Sequence, residues 1–291
     1  MNNLSFNPTR RKLAQAVALG VLALAANQAQ AVNYSFSDLG TITGVYAGTN
    51  AVAKGINNLG QVAGYDGAKV FGLSSHNALV WNGNIATPLD NLPGGVKTLA
   101  WAINDAGQIA GFNDLNPVVD ILNPIRWDGV VPTQLDTLGG GFMTVGSGIN
   151  NNGQIVGGSW TGTGFHAVRW DGTAITDLGT LGGSESTALG INDAGQAVGF
   201  AATTGDAAYR AVRWDGNTIT DLGTLGGGNS DAWAINNAGQ IAGDSILADG
   251  ETTHAVLWNG ATLTDLAALG GTGTISFSED INNLGQIAGL L

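Results

Sequence analysis

The sequence predicts an all-β fold assembled from repeats, and three observations support this class. A phrase of Ile-Asn, two residues, Gly-Gln, two residues and Gly recurs six times, at intervals of 42 to 47 residues. A Trp followed eight residues later by a Leu recurs five times. No helical period of 3.6 residues competes after residue 31. Fixed motifs at such a period indicate a repeat architecture. The phrase asparagines are Asn57, Asn104, Asn150, Asn192, Asn236 and Asn282.

Residues 1–31 are predicted to be a cleaved secretory signal. Arg10–Lys12 supplies a basic start, Leu13–Ala26 an apolar stretch, and Ala29–Ala31 a small-residue cleavage site. The apolar stretch is too short for a helix that spans a bilayer core of about 30 Å. A twin-arginine signal is the alternative interpretation of Thr9–Arg11. Residues 32–291 are expected to form one repeat domain that is exported to the periplasm or the extracellular medium.

The charge balance excludes several classes of partner. Removal of the signal leaves seven basic against 22 acidic residues, a formal net charge of −15. Nucleic acids and anionic membrane surfaces both require clustered Lys and Arg, so neither is expected as a partner. No stretch after residue 31 is apolar enough to predict a membrane span. The chain has no cysteine, so this exported domain must be stable without disulfides.

The Ile-Asn phrase predicts the first hairpin of each unit. In Asn150–Gly153, three Asn residues followed by Gly suit a type I turn closed by a glycine in the left-handed region. Ile149 and Ile155 then lie on the two flanking strands. Strand A of each unit is expected to end at Ile-Asn, and strand B to begin at Gln.

The Trp–Leu spacing predicts the second hairpin. In Ala167–Leu178, two β-prone runs flank the turn Asp171-Gly172, and Asn-Gly or Asp-Gly occupies this place in every copy. The constant interval indicates two strands, C and D, held in register by a tight turn. The interval from the phrase Asn to the Trp varies between 20 and 24 residues, which indicates a loop between strands B and C.

Four antiparallel strands in about 45 residues, repeated, predict a β-propeller blade. The recurrent Trp, Ile and Leu are expected to form the core between blades. Asp38–Gly40 copies the end of strand D without the preceding strands, and Asn282–Gly289 is a hairpin without a following strand C. We therefore expect about six blades, the last either incomplete or closed by the N-terminal strand.

Three motifs in a fixed order carry a family resemblance. The phrase above is followed by His-Ala-x-x-Trp, best seen at His166–Trp170, and by Asp-Leu-Gly-Thr-Leu-Gly-Gly at Asp177–Gly183 and Asp221–Gly227. Over residues 38–289 the chain resembles the bacterial HAF-type extracellular repeat family. The resemblance implies an exported repeat protein, and it brings no catalytic residues with it.

Residue patterns give little support to a catalytic or metal site. His166 and His254 lie four residues before the repeat Trp, a position that other copies fill with Asn or Arg, and His76 lies one residue earlier. These are expected to be polar positions on strand C. Most aspartates fall in turns or in the strand-D motif, where they accept backbone hydrogen bonds. We expect no cofactor, with calcium at Gly227–Asp231 as the alternative, although this segment lacks the alternating ligands of a calcium loop.

Variable positions in the repeat predict where a ligand binds. The B–C and D–A connections vary in length and share one face of the disc, so this face is the candidate binding face. Trp160, Phe112 and Phe142 are predicted loop aromatics there. A second variable position lies three residues before each phrase Asn. It holds Trp101 and Trp233, which are candidates for stacking on a ligand, with packing between blades as the favoured alternative.

The sequence favours a non-catalytic, exported binding scaffold for a carbohydrate, a peptide or a surface polymer. One alternative is an exported polysaccharide-acting enzyme on the same scaffold. The other is a structural component of the cell surface or matrix that functions by self-association.

Overall fold

A computed structural model describes residues 50–70, 73–116, 121–139, 143–269 and 276–290. The predicted signal, the strand copy at Asp38–Gly40 and the candidate Phe142 lie outside these residues. No helix in the described segments is long and apolar enough to cross a membrane.

The described residues form five four-stranded antiparallel sheets and one two-stranded sheet, each built from consecutive strands. Each sheet is one blade, with its strands in the order A-B-C-D, and two short 3-10 turns lie between strands at Thr204–Asp206 and Ala267–Leu269. Blade one contains β1 (Asn50–Ile56), β2 (Gln61–Val70), β3 (Leu73–Asn82) and β4 (Ile85–Pro88). Blade two contains β5 (Lys97–Ile103), β6 (Gln108–Asp114), β7 (Leu122–Asp128) and β8 (Val131–Gln134). Blade three contains β9 (Val145–Ile149), β10 (Ile155–Trp160), β11 (Phe165–Asp171) and β12 (Ala174–Asp177).

The remaining blades follow the same plan until the last. Blade four contains β13 (Gly182–Ile191), β14 (Gln196–Thr203), β15 (Tyr209–Asp215) and β16 (Thr218–Asp221). Blade five contains β17 (Gly226–Ile235), β18 (Gln240–Leu247), β19 (Thr253–Asn259) and β20 (Thr262–Asp265). Blade six has only β21 (Phe277–Ile281) and β22 (Ile287–Leu290) among the described residues. The predicted strand order and hairpins are confirmed.

The A strands converge on a common axis, as in a β-propeller. Each A strand packs against the A strand of the next blade, from β1 on β5 through to β17 on β21. The outer D strands make no comparable contacts with one another. Strand A is therefore innermost in every blade, and residues exposed on it face the space around the axis.

The phrase asparagine forms a hydrogen-bonded chain around the axis. The Asn150 carbonyl accepts from Gly153 N at 3.0 Å, and Gly153 has a φ of 77°, which confirms the predicted turn. The Asn150 side chain donates to the Asn192 carbonyl of the next blade at 2.9 Å. The same bond joins each of the first five blades to its successor, at 2.9 to 3.2 Å. The phrase is thus a joint between blades.

The phrase glutamine ties this turn to the C–D turn of the same blade. Gln154 Oε1 accepts from the Asn150 side chain at 2.8 Å, and Gln154 Nε2 donates to Asp171 at 2.7 Å. Asp171 also accepts from Arg169 at 3.0 Å. Burial would raise the pKa of Asp171, but these two hydrogen bonds outweigh it, so the pKa lies below its usual value. The turn aspartates are therefore structural.

The five repeat tryptophans are at most 2% exposed and form the core between blades, as predicted. Ile56 departs from the expected pattern. It is 68% exposed, whereas its counterparts Ile103, Ile235 and Ile281 are buried. Among the described residues, no blade packs against this side of blade one, and this explains the difference.

The last glycine of the phrase is required by a β-bulge in strand A. In all six blades, pairing between strands A and B shifts by one residue, directly opposite this glycine. A Cβ on Gly199 would lie only 1.9 Å from the Thr187 carbonyl oxygen, and the other five copies show 1.9 to 2.1 Å. No larger side chain fits at this position without moving the bulge.

Candidate functional site

Each bulge presents one extra side chain on the innermost strand. These are the residues three positions before the phrase Asn, and we call them the inner ring. A β-bulge leaves its extra residue unpaired and re-aims the side chain, so the inner position is free to vary while the ladder on either side is kept. The inner ring consists of Lys54, Trp101, Ser147, Leu189, Trp233 and Glu279.

The inner ring is accessible although it lies on the innermost strands. Trp233 is 39% exposed, Lys54 and Glu279 are exposed, and the other three members are half-buried. In blades two to six, the residue directly before the ring member is buried. The ring therefore lines an open space near the axis.

Blades one and two form an aromatic and cationic sector of the ring. The rings of Trp101 and Phe112 are stacked, with centroids 6.4 Å apart and planes at 29°. Lys54 Nζ lies 4.1 Å from the centroid of the Trp101 ring, which is a cation–π contact between adjacent blades. Both contacts hold the Trp101 side chain in one position.

Blades five and six form an acidic sector. The Trp233 indole N–H donates to Asp244 Oδ2 at 2.6 Å, and the Ser278 N–H of blade six donates to Asp244 Oδ1 at 2.8 Å. Asp231 lies directly opposite Asp244 in the pairing of β17 with β18. Glu279 follows Ser278 on β21, and the charges of Asp231 and Glu279 both act on Asp244, the hydrogen-bond partner of the Trp233 indole.

The electrostatics of this sector are unusual for the molecule. Burial, together with the charges of Asp231 and Glu279, raises the pKa of Asp244 to about 6, although hydrogen bonds from Ser278 and Trp233 favour its charged form. Burial also raises the pKa of Asp231. The Asp244 carboxyl group therefore loses its proton, and the sector gains a negative charge, as the pH rises through about 6.

The structure brings together some of the predicted ligand-binding residues. Trp101 and Phe112 stack in one sector, Trp233 lies in the other, and Trp160 is at the end of β10. Trp160 and Phe112 were predicted on loops, which is wrong. Trp160 is the last residue of β10 and pairs with Phe165, and Phe112 lies inside β6, because this strand continues to Asp114. Among the described residues, no hydrogen bond or ring contact joins Trp160 to the other candidates. Phe142 lies outside the described segments.

The histidines occupy strand C of three separate blades, as expected. His166 Nδ1 lies 2.8 Å from Asp177, and His254 Nδ1 lies 2.9 Å from Asp265, each pair bridging strands C and D. His76 packs edge-on against Tyr65. No group of three acidic or histidine side chains suited to a metal ion occurs within the described segments. Gly227–Asp231, the calcium candidate, lies within β17, where the pairing with β18 is irregular between Gly226 and Ser230.

The Asp-Leu-Gly-Thr-Leu-Gly-Gly motif also has a structural role. The Thr180 hydroxyl donates to the Gly183 carbonyl at 2.8 Å, and Asp177 accepts from Gly179 N at 2.8 Å. The copy in the next blade makes the same two bonds through Thr224 and Asp221. The motif shapes the connection from strand D to the next strand A.

Sequence reasoning missed Asp231 and Asp244. The signal was a departure from the repeat: the position four residues after the phrase Gln holds Asp244 in blade five, but Tyr65, Phe112, Gly158 and Phe200 in blades one to four. A comparison of the repeats for chemistry, rather than for spacing, would have found this residue.

No protein-family model matches the chain, and neither does any curated protein. Among solved structures, the chain is similar to the putative TolB from Agrobacterium tumefaciens, with 12% identity over 82% of this chain and 88% of that one, and a TM-score of 0.53. It is also similar to TolB from Acinetobacter baumannii, with 13% identity over 71% of this chain and a TM-score of 0.51, and it spans 52% of that protein. At these identities the likeness concerns the fold alone, which is a β-propeller.

Proposed function

We propose that this chain is an exported, non-catalytic binding protein whose ligand contacts the inner ring. The observation that carries the proposal is the set of six bulges. The six bulges place five different residue types at the same inner position, on a framework whose hydrogen bonds are the same from blade to blade. Binding residues characteristically vary on a rigid scaffold.

The proposal includes a six-bladed domain of the HAF-type extracellular repeat family. The strand copy at Asp38–Gly40 would supply an outer strand to blade six, whose described part has only strands A and B. The motifs that carry this resemblance form the joints and connections of the blades, so a shared framework supports it. Size-exclusion and small-angle scattering of residues 32–291 test whether the domain is a closed disc or an open arc.

Export to the periplasm or the extracellular medium rests on the predicted signal at residues 1–31. Cell fractionation of a bacterial host that expresses the full chain tests this. Processed protein in the periplasmic or extracellular fraction, with an N-terminus at Val32, is the expected result. Unprocessed protein retained in the cytoplasm would contradict it.

The ligand is proposed to be a carbohydrate, a peptide or a surface polymer. Screening of the purified domain on glycan and peptide arrays identifies the class. Trp101→Ala is expected to weaken binding of the identified ligand about tenfold, because the stacked Trp101–Phe112 pair is lost. Trp160→Ala removes an aromatic side chain from the B–C end of blade three. If Trp160→Ala alone abolishes binding, the loop face rather than the inner ring binds the ligand.

Hydrolysis of a polysaccharide is the second candidate, and the Asp231–Asp244 pair favours it. Paired carboxyl groups with different pKa values can act as acid and base. Against it, Asp244 is 5% exposed, and each of its oxygens already accepts a hydrogen bond from a fixed donor. Turnover of a polysaccharide that Asp231→Asn abolishes would establish the enzyme and overturn the binding proposal.

A further inference from the structure

We propose that the sector of the inner ring formed by Asp231, Trp233 and Glu279 binds a primary alkylammonium group. This inference rests on the proposed function, since it gives the chemistry of one part of the same site. Four properties of the sector support it.

The first property is the absence of a counter-charge. The ion pairs of the described segments use Asp114, Asp128, Asp171, Asp177, Asp215 and Asp265. Asp231, Asp244 and Glu279 are in none of them, although Asp244 is almost fully buried. A buried carboxylate without a cation is destabilising, and a cation that binds beside it relieves this cost.

The second property is a replacement in the repeat. The cross-strand pair is Val52 with Tyr65 in blade one, Leu99 with Phe112 in blade two, and Thr187 with Phe200 in blade four. In blade five the pair is Asp231 with Asp244. In these other blades the same two strands pair with uncharged residues at these positions. The two carboxyl groups of blade five are therefore not needed for strand pairing.

The third property is the exposed face of Trp233. Its indole N–H is fixed by Asp244, so the ring is held in place while more than a third of the side chain is exposed. A cation over this ring is attracted by the ring quadrupole and by the charges of Asp231 and Glu279, which act on Asp244 beside the indole.

The fourth property is a matching contact elsewhere in the ring. Trp101 occupies the same position in blade two, and the ammonium group of Lys54, the inner-ring residue of the preceding blade, lies over its face. The inner-ring residue that precedes Trp233 is Leu189, which has no charge. The inner ring therefore supplies an ammonium group for Trp101 and none for Trp233.

The carboxylates select the kind of cation. Asp231 and Glu279 have free lone pairs that accept hydrogen bonds from N–H groups, and a primary ammonium group offers three donors. A quaternary ammonium offers none. The alkylammonium group has two sources, a lysine side chain of a peptide or a free amine, and the probes below distinguish them.

Isothermal titration calorimetry of the mature domain at pH 7.5 tests the proposal. The charged probes are Nα-acetyl-lysine N-methylamide and n-pentylamine, and the neutral comparators are Nα-acetyl-norleucine N-methylamide and 1-pentanol. We expect at least one charged probe to bind about tenfold more tightly than its comparator, as expected for a partly desolvated cation–π contact combined with ionic hydrogen bonds. Tighter binding of the lysine amide than of pentylamine identifies a peptide source, and equal binding identifies free amines.

Variants connect the binding to the sector. Trp233→Leu and Glu279→Gln are each expected to weaken binding of the charged probe at least fivefold. Glu251→Gln, an exposed carboxylate in the same blade, is the matched control and should leave the affinity unchanged. Circular dichroism and thermal unfolding show whether each variant is folded. Glu279→Gln alters an exposed side chain, so it still tests the proposal if Trp233→Leu does not fold.

Two results would overturn the proposal: equal affinity for the charged probes and their neutral comparators, or unchanged affinity in both sector variants. Either result leaves the proposed function standing if an array ligand still loses affinity in Trp101→Ala. If no ligand responds to any inner-ring substitution, the proposed function fails as well.

Discussion

The side chain of the phrase asparagine makes four hydrogen bonds at once. In blade three, Asn150 Oδ1 accepts from the backbone N–H groups of Asn152 and Gln154 at 3.1 and 2.9 Å. Its Nδ2 donates to Gln154 within the blade and to Asn192 of the next blade. No other side chain has this combination of length, donor and acceptor, and this is the physical reason for its recurrence.

Asn150→Ala is expected to lower the free energy of unfolding by about 2–4 kcal/mol, because buried backbone groups lose their partners. Asn282→Ala is the matched control. Asn282 lies in the same turn of blade six, is exposed, and among the described residues makes no hydrogen bond to another blade. We expect it to cost about half as much or less. Equal losses in urea denaturation would show that the inter-blade bond contributes nothing.

A second prediction at the residue scale concerns the stability of the domain when the last glycine of the phrase is replaced. Gly199→Ala should destabilise the domain by about 3 kcal/mol or more, since the new Cβ would meet the Thr187 carbonyl oxygen at 1.9 Å. Gly228→Ala, where no atom lies within 4 Å of the added Cβ, is expected to change the stability by less than about 1 kcal/mol. Thermal unfolding measures the melting temperatures of the two variants. Similar values would show that the close approach at the bulge does not require glycine.

At the scale of elements, each blade combines an invariant joint with one free position. The bulge lies between the paired ends of strand A, so its side chain changes without a change of register. The sequence did show that this position varies and that its neighbours are small. It did not show that the position is a bulge, because the phrase fixes only the turn, and a one-residue shift of pairing inside a strand leaves no trace in residue spacing.

The blade-five pair leads to a pH prediction. The folded-state pKa of Asp244 is raised to about 6, so its contribution to stability is fully present below its unfolded value near 3.8 and is lost as the pH rises through 6. The loss is on the order of 3 kcal/mol at pH 8. Asp231→Asn removes a neighbouring charge and should raise the melting temperature at pH 8 more than at pH 4. Glu251→Gln, outside the sector, should show no such difference between the two pH values. An equal change in melting temperature at pH 4 and pH 8 for Asp231→Asn would refute an interaction between the Asp231 and Asp244 charges.

At the scale of the whole molecule, the five equivalent joints contrast with the two ends. Gly55, Ala102, Gly148, Gly190 and Ala234 lie two positions before the phrase Asn. Next to Gly55 the backbone of the following blade approaches so closely that a Cβ would be 3.1 Å from it. Blade six has Asp280 at this position. Its side chain is larger than the Gly or Ala at this position in the other five blades.

Hydrogen exchange is expected to reflect this contrast. Backbone amides of β21 and β22 should exchange faster than those of β13 and β14, because β22 pairs only with β21 among the described strands. In addition, Phe277 and Leu290 in this hairpin are exposed. Mass spectrometry of peptides from both regions measures the difference. Equal protection in the two regions would show that blade six is as firmly held as blade four.

The sequence predicted the repeating features well because each has a local cause. The Asn-Gly and Asp-Gly turns, the strand order and the buried Trp residues all follow from residue types within one unit. The acidic sector was not predictable in this way, since Asp231 and Asp244 are 13 positions apart and meet only through the pairing of β17 with β18. Ile56 shows the same limit: its exposure depends on a neighbour that no motif inside blade one specifies.

The bulge in strand A and the phrase glycine opposite it divide the positions of each repeat into two kinds. The glycine cannot be replaced without moving the backbone, whereas the bulge residue varies from blade to blade. Six codons, one per repeat, specify the inner-ring side chains, and none of these residues belongs to the phrase turn, the asparagine joint or the tryptophan core. Under the proposed function, substitutions at these codons alone would change the ligand while the framework is kept. For protein engineers, the same codons are natural positions for a combinatorial library on a fold that would not have to be redesigned.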